Sequence, residues 1–396
     1  MNCEDLIAKF KKQAEFAKEY SPLYYRLFSI VGDWLEHQPH NPVVQWLLDV
    51  SQNRRPLEVT LLLMAGLHRD ILLEEQDTEQ LANLYPSVSP DWTEKAEKWD
   101  SAAFSIETQA TNLPNILHRT ISKREDSLTE FIQNGTVQTN ETGRGIVWLL
   151  PTLLTNWSQI HLVDLGASAG LNLVADQRSF RIFNHNERKE TDIGIAKPVQ
   201  FSVCSVNKCN LQLKKRPLPE ILSRTGCDIQ PFILKNYVDE ATLTSFVWAD
   251  QIPRIERLRE GILAFKNLDR TKSAPVTLYK ADLPDGLPKF LTRIPHNDSA
   301  PIVLYNTFMT PYLENKGRAL KKMLAEWAKT VSQPVLWLQA EPLSKKPPKP
   351  EWLGWTAHYW HEDVREKWHL GWLQPHGTAV KWLPEQYQSF VEFFNK

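Results

Sequence analysis

Apolar residues recur three and four positions apart in the first part of the chain, as in Leu6, Phe10, Ala14 and Ala17 and again in Leu61, Leu62, Ala65 and Leu72. That period lines one face of successive helices. Breaks at Ser21-Pro22, Pro39 to Pro42, Arg55-Pro56 and Tyr85-Pro86 divide the stretch into several helices joined by short loops, because proline ends one helix and suits the first turn of the next. Residues 1–135 read as a helical N-terminal domain.

The rhythm changes beyond residue 136. In VQTNETGRGIVWLLPTLL, Thr139 or Asn140 is placed to cap a helix carrying Ile146, Leu149 and Leu150, with Glu141 near its positive end. IHLVDL follows, short, β-branched and ended by an acid and a glycine, the pattern of a buried parallel strand. VTLY (276–279), PIVLYNT (301–307) and PVLWLQA (334–340) are further strands, separated by helix-like RIERLREGILAF (254–265) and NKGRALKKMLAEWAKTV (315–331).

This alternation predicts an α/β domain over 136–396 with a Rossmann-like, mostly parallel sheet. The polar stretch from about 180 to 246 reads as an insertion over that sheet. Past the KKPPKP connection, WTAHYW, WHLGWL and TAVKWL alternate between turn residues and predict closing antiparallel strands.

Composition narrows the class. With 396 residues, 42% hydrophobic and 23% charged, the chain can bury a large core or two. A formal net charge of -1 supplies no field that draws in nucleic acid or an anionic membrane. Cys3, Cys204, Cys209 and Cys227 form neither a disulfide framework nor paired metal-ligand spacing, so no metal is expected. No uncharged stretch approaches the ~20 residues of a membrane span, and the charged start is no signal peptide; a cytoplasmic location is expected. The oligomeric state is not encoded in any pattern here. Fifteen tryptophans, many after residue 325, suit a Trp-rich core or a pocket wall.

The candidate chemistry centres on Gly166-Ala167-Ser168-Ala169-Gly170. As a cofactor turn, it lets backbone N–H groups approach a ligand while nearby carboxylates take its polar groups. Asp164, Gly166, Ser168 and Gly170 supply those parts, with Ser168 where a methyltransferase turn has a second glycine. A second strand should then end in an acid for ribose hydroxyls. Asp250 in FVWADQIPRIERL and Asp228 in RTGCDIQP are rivals for that place, Asp282 in LYKADLP closes the next strand, and Asn306 in LYNTF the one after. Each is also an ordinary cap or turn former.

Alternatively the turn is a G-x-S-x-G elbow, with Ser168 as nucleophile, Asp250 or Asp282 as orienting acid and His369 or His376 as base. No oxyanion loop stands upstream, and Asp164 has no role in an elbow. A third reading keeps the cofactor fold but makes it a non-catalytic binding module. His68, His118, His358 and His376 sit singly in apolar or aromatic surroundings and read first as structural.

VQTNETGRGIVWLLP followed by LVDLGASAGLNL resembles the bacterial family called domain of unknown function 2332, as do SPLYYRL, RTGCDIQP, FVWADQIPRIERL, QAEPL and LQPHGTAVKWL. The resemblance runs along most of the chain. It implies a class I methyltransferase-type fold, with S-adenosylmethionine as cofactor and an unidentified methyl acceptor as partner. It also singles out Gln138, Thr139, Asn140, Glu141 and Arg144 as pocket-lining residues, to which Asn172 after the turn is added.

Overall fold

The computed structural model describes residues 3–88, 112–138, 141–184, 189–194, 201–207, 217–271, 274–295 and 298–395. The chain divides into two compact units, Met1–Asn140 with Leu234–Glu256, and Glu141–Ile233 with Arg257–Lys396.

The first unit is helical. Its longer helices are Cys3–Ala17, Pro22–His37, Pro42–Val50, Pro56–Leu72, Leu113–Lys123, Glu125–Asn134 and Tyr237–Ser245. Three of them open on the prolines that break the pattern, and the Ser21 and Asn41 side chains cap two by accepting from the Tyr24 and Val43 amides. Leu6, Phe10, Ala14 and Ala17 are buried, as the period requires.

Leu234–Glu256 belongs to this helical unit. Phe246, Trp248 and Ala249 pack into the helical core, and that apolar run reads in the sequence like a strand. Asp250 therefore ends no strand. It stands in the link between the helices Tyr237–Ser245 and Ile252–Thr271, where the Ser21 hydroxyl donates to it at 2.5 Å.

The second unit carries eleven strands among the described residues. They are β1 (Gln159–Leu165), β2 (Ser179–Asn184), β3 (Lys189–Gly194), β4 (Phe201–Ser205), β5 (Glu220–Asp228), β6 (Val276–Lys280), β7 (Ile302–Thr307), β8 (Val335–Glu341), β9 (Leu353–His361), β10 (Val364–Leu373) and β11 (Ala379–Trp382). One sheet holds them in the order β3-β2-β4-β11-β10-β9-β8-β7-β1-β5-β6. The run β6-β5-β1-β7-β8 is parallel throughout. Strands β9, β10 and β11 then continue antiparallel.

The segment 180–246 is thus no insertion over the sheet, because it supplies β2 to β5. Its polarity hides this. On β5 the buried Arg224 carries its own partner, donating to both Asp176 oxygens at 2.7 Å and to the Leu173 carbonyl.

Both faces of β1, β7 and β8 are buried, which explains their nearly continuous apolar sequences. On β1, Ile160 and Leu162 face one core, shared with the helices Ile146–Leu154 and Pro384–Phe394. Val163 and Leu165 face another, shared with Leu287–Leu291 and Arg318–Trp327. The late tryptophans fill these cores: Trp355 and Trp382 meet at 5.1 Å, and Trp337 and Trp360 stack at 6.2 Å.

Candidate functional site

Strand β1 delivers Asp164 to its carboxyl end and runs straight into the turn 166–170. Gly166 (φ +90°), Ser168 (φ +50°) and Gly170 (φ +73°) are all left-handed. Two backbone bonds hold the turn to the neighbouring strand, Gly166 N–H and Ala167 N–H donating to the Cys227 carbonyl at 2.8 and 2.9 Å. A third bond comes from a side chain: Ser168 N–H donates to Asp228 Oδ2 at 2.9 Å. Asp228 is the last residue of β5, and its other oxygen accepts from Gln230 N–H at 3.0 Å. The Ser168 carbonyl in turn accepts from Phe232 N–H at 3.1 Å.

Smallness in this turn is a packing requirement. A Cβ on Gly166 would stand 2.9 Å from Met309 Cγ, and one on Gly226 would stand 2.7 Å from Ala167 Cβ. Contacts that short force something to move, and at Gly166 the backbone also disfavours any side chain.

Asp164 is buried, and the Tyr305 hydroxyl from β7 donates to it at 2.7 Å. Burial pushes its carboxyl up to about 7; the Asp228 charge adds to the rise and the Tyr305 bond opposes it. Burial also pushes the Cys227 thiol up, away from the thiolate form.

Strands β5 and β6 extend the sheet on one side of β1, and β7 and β8 on the other. The crevice where the order reverses, at the carboxyl ends of β1 and β7, is where open α/β sheets bind ligands. Phe308 and Met309 follow β7 at that end of the sheet. Behind them, Glu341 at the end of β8 accepts from Met309 N–H, Thr310 N–H, the Thr310 hydroxyl and Asn306 Nδ2. Burial raises the Glu341 carboxyl, and these bonds partly offset the rise.

The family model described as "Uncharacterized protein conserved in bacteria (DUF2332)" matches residues 8–382. The chain belongs to this family. No curated protein and no solved structure matches it.

The DUF2332 motifs are distributed over both units. SPLYYRL and FVWADQIP meet within the helical unit, through Ser21 and Asp250, where burial raises the Asp250 carboxyl. Gln138 is a buried residue of that same unit. Thr139 and Asn140 lie outside the described residues.

Glu141, Arg144 and Asn172 belong to the α/β unit. The Glu141 side chain caps the 3-10 turn Thr142–Gly145, which precedes the helix Ile146–Leu154. Asn172 Nδ2 donates to the Glu141 carbonyl at 3.3 Å. Arg144 Nε donates to the Pro375 carbonyl at 2.9 Å, and its guanidinium lies 5.5 Å from the Phe308 ring centre.

Asp164 and Asp228 therefore share one edge, with exposed Asp282 two residues past β6 on the same edge. Asn306 reaches that edge but is fully buried, its oxygen accepting from Trp337 Nε1 at 2.8 Å and its amide donating to Glu341. It is a structural clamp.

The single histidines separate into two groups. His68 contacts the Ser245 carbonyl and Ser87, and His118 contacts Asn41. His358 lies against Trp337 and Trp360, and burial pushes its pKa down to about 3. These three are packing groups. His376 differs, with Nδ1 2.8 Å from Glu141 Oε2.

Among the described residues no cluster of three His, Cys, Asp or Glu side chains is arranged to hold a metal, and no helix is long and apolar enough to cross a membrane. No local pattern singles out Tyr305, Phe308 or Met309, and Glu341 stands in the sequence only as part of the QAEPL stretch. The one signal for Phe308 and Met309 is their place just after a parallel strand beside β1, where crevice loops arise.

Proposed function

We propose that this chain is an S-adenosylmethionine-dependent methyltransferase that holds its methyl donor on the carboxyl edge of β1 and β5. The observation that carries the reading is the bond from Ser168 N–H to Asp228, which joins the glycine-bounded turn to the acid ending the adjacent strand. The parallel run supports it, since its strands appear in the doubly wound order, third, second, first, fourth, fifth.

Charge selects among adenine-containing ligands. Two carboxylates open to solvent, Asp228 and Asp282, stand on this edge beside the buried Asp164, whose carboxyl is pushed up to about 7, and the element after the turn is a seven-residue 3-10 helix, Leu171–Gln177. A pyrophosphate favours the opposite arrangement, a long helix N-terminus without neighbouring anions. A ligand carrying hydroxyls, an ammonium and a sulfonium fits this chemistry.

The donor set fits too. Each Asp228 oxygen takes one backbone N–H, leaving a lone pair apiece for ribose hydroxyls. Asp282 is exposed and suits an exocyclic amine. Bound there, the sulfonium supplies a methyl carbon already activated for displacement. The chain's own contribution is orientation and the exclusion of water by Phe308 and Met309.

Two parts of the elbow reading are engaged elsewhere: Asp250 accepts from the Ser21 hydroxyl, and His369 packs against Trp372 at 4.8 Å. Ultraviolet cross-linking with S-adenosyl-[methyl-3H]methionine tests the proposal: label is expected in peptides covering 160–176 and 224–232, and its appearance only elsewhere contradicts it.

A further inference from the structure

The α/β unit places a second constellation beside the turn. Glu141 is 3% exposed and accepts from Gly143 N–H at 3.4 Å. Its Oε2 lies 2.8 Å from His376 Nδ1, and Arg257 Nε lies 3.8 Å from its Oε1. The His376 side chain is 38% exposed, and with Nδ1 on Glu141 its Nε2 is the ring nitrogen available to a ligand.

Two glycines bring these segments together. Gly377 is left-handed (φ +72°), and a Cβ there would run into the Gly143 carbonyl. The TGRG and PHG segments, 231 residues apart between Arg144 and Pro375, therefore pack backbone to backbone, and the Arg144–Pro375 bond closes the contact. The dyad adjoins the proposed cofactor turn by two routes. Asn172, two residues beyond Gly170, donates to the Glu141 carbonyl, and Arg144 covers Phe308, whose neighbour Met309 abuts Gly166.

We propose that His376 is the catalytic general base of this site, that Glu141 is its positioning residue, and that the methyl acceptor carries a hydroxyl group. A buried carboxylate on Nδ1 fixes the tautomer and stabilises the imidazolium, leaving Nε2 to take a proton. In the reaction the acceptor oxygen bonds to the methyl carbon. The carbon–sulfur bond breaks with its electron pair remaining on sulfur, and the hydroxyl proton passes to His376 Nε2 and then to solvent. A carboxylate or thioether acceptor has no proton to lose and needs no such base. The charged groups facing His376 are Glu141, with Arg257 behind it and Arg144 on the adjoining turn.

This inference rests on the methyl-donor reading, and the experiment separates the two. Histidine ring 1H–13C spectra of the full chain are recorded alone, with saturating S-adenosylhomocysteine, and with saturating S-adenosylmethionine. The two ligands differ at sulfur by one charge and one methyl group, so the cross-peak nearest the sulfur responds most to the exchange. Of the eleven histidines, His376 is expected to show the largest difference between the two complexes. At about pH 8.5, where an imidazole is neutral with or without a carboxylate partner, diethyl pyrocarbonate should also modify His376 about threefold or more slowly in Glu141→Gln, through loss of the group that orients the ring and raises its basicity. Binding of both ligands without a difference at His376 overturns the base assignment and leaves the methyl-donor site standing. An unchanged modification rate in a folded Glu141→Gln removes the positioning role, and failure of both ligands to bind overturns both proposals.

Discussion

Ser168 N–H and Asp228 Oδ2, 2.9 Å apart, tie the turn after β1 to the end of β5. One carboxylate thus shapes the turn at the carboxyl edge of the sheet. Asp228→Ala leaves the Ser168 and Gln230 amides without their acceptor, at about 1–3 kcal/mol for each group that stays dry. Urea denaturation should register that loss, together with at least tenfold weaker S-adenosylmethionine binding. Wild-type affinity in a folded Asp228→Ala protein would remove Asp228 from the site.

The bonds from Ser168 N–H to Asp228 and from Phe232 N–H to the Ser168 carbonyl use the backbone, and the side chain is expected to be dispensable for donor binding. Ser168→Gly relieves a left-handed strain of about 1–2 kcal/mol and adds unfolded-state freedom of about 0.4–1 kcal/mol. A small net stabilisation is expected, with donor affinity within about twofold of wild type because the N–H is kept. Covalent labelling of wild-type Ser168 by a fluorophosphonate, lost in Ser168→Gly, would instead revive the elbow.

The Asp164 carboxyl carries a pH signature. Burial lifts it from 3.8 to about 7, so the native state holds its proton more tightly than the unfolded chain. Its favourable contribution is complete below about pH 4 and disappears as pH rises to about 7. Wild-type stability should therefore fall relative to Asp164→Asn across that window, by at most about 1.4 kcal/mol per pH unit. Denaturation midpoints for both proteins between pH 4 and 8 check this, and a pH-independent difference would show that Asp164 stays ionised.

Asn306 is expected to matter for folding and not for recognition. Asn306→Ala leaves Trp337 Nε1 without a partner, at about 1–3 kcal/mol, and removes one bond from Glu341 Oε1, which keeps Met309 N–H. The melting temperature should drop while donor affinity, measured well below it, changes by less than about twofold. A stable variant with weakened binding would return Asn306 to the ligand side.

The parallel core was legible in the sequence because its strands are buried on both faces and read as short apolar runs. IHLVDL, PIVLYNT and PVLWLQA correspond to β1, β7 and β8 almost residue for residue. Strand β5 is harder to read, since Arg224 and Thr225 are polar yet buried and the partner that makes this affordable, Asp176, lies 48 residues away. The opposite error arises at FVWAD, whose apolar run packs among helices. Of the candidate site, Asp164, Gly166 and Asp228 could be read from local pattern. The pairing of Glu141 with His376, 235 residues apart, requires the three-dimensional contact between Gly143 and Gly377. No local spacing encodes it.

The central claim is tested most directly by isothermal titration calorimetry of the full chain with S-adenosylmethionine and, in parallel, NAD. The account predicts saturable 1:1 binding of S-adenosylmethionine that Gly166→Val abolishes, because the added side chain meets Met309 and a backbone at φ +90°, with NAD at least tenfold weaker. Tighter binding of NAD, or no heat with S-adenosylmethionine at millimolar concentration, would contradict it.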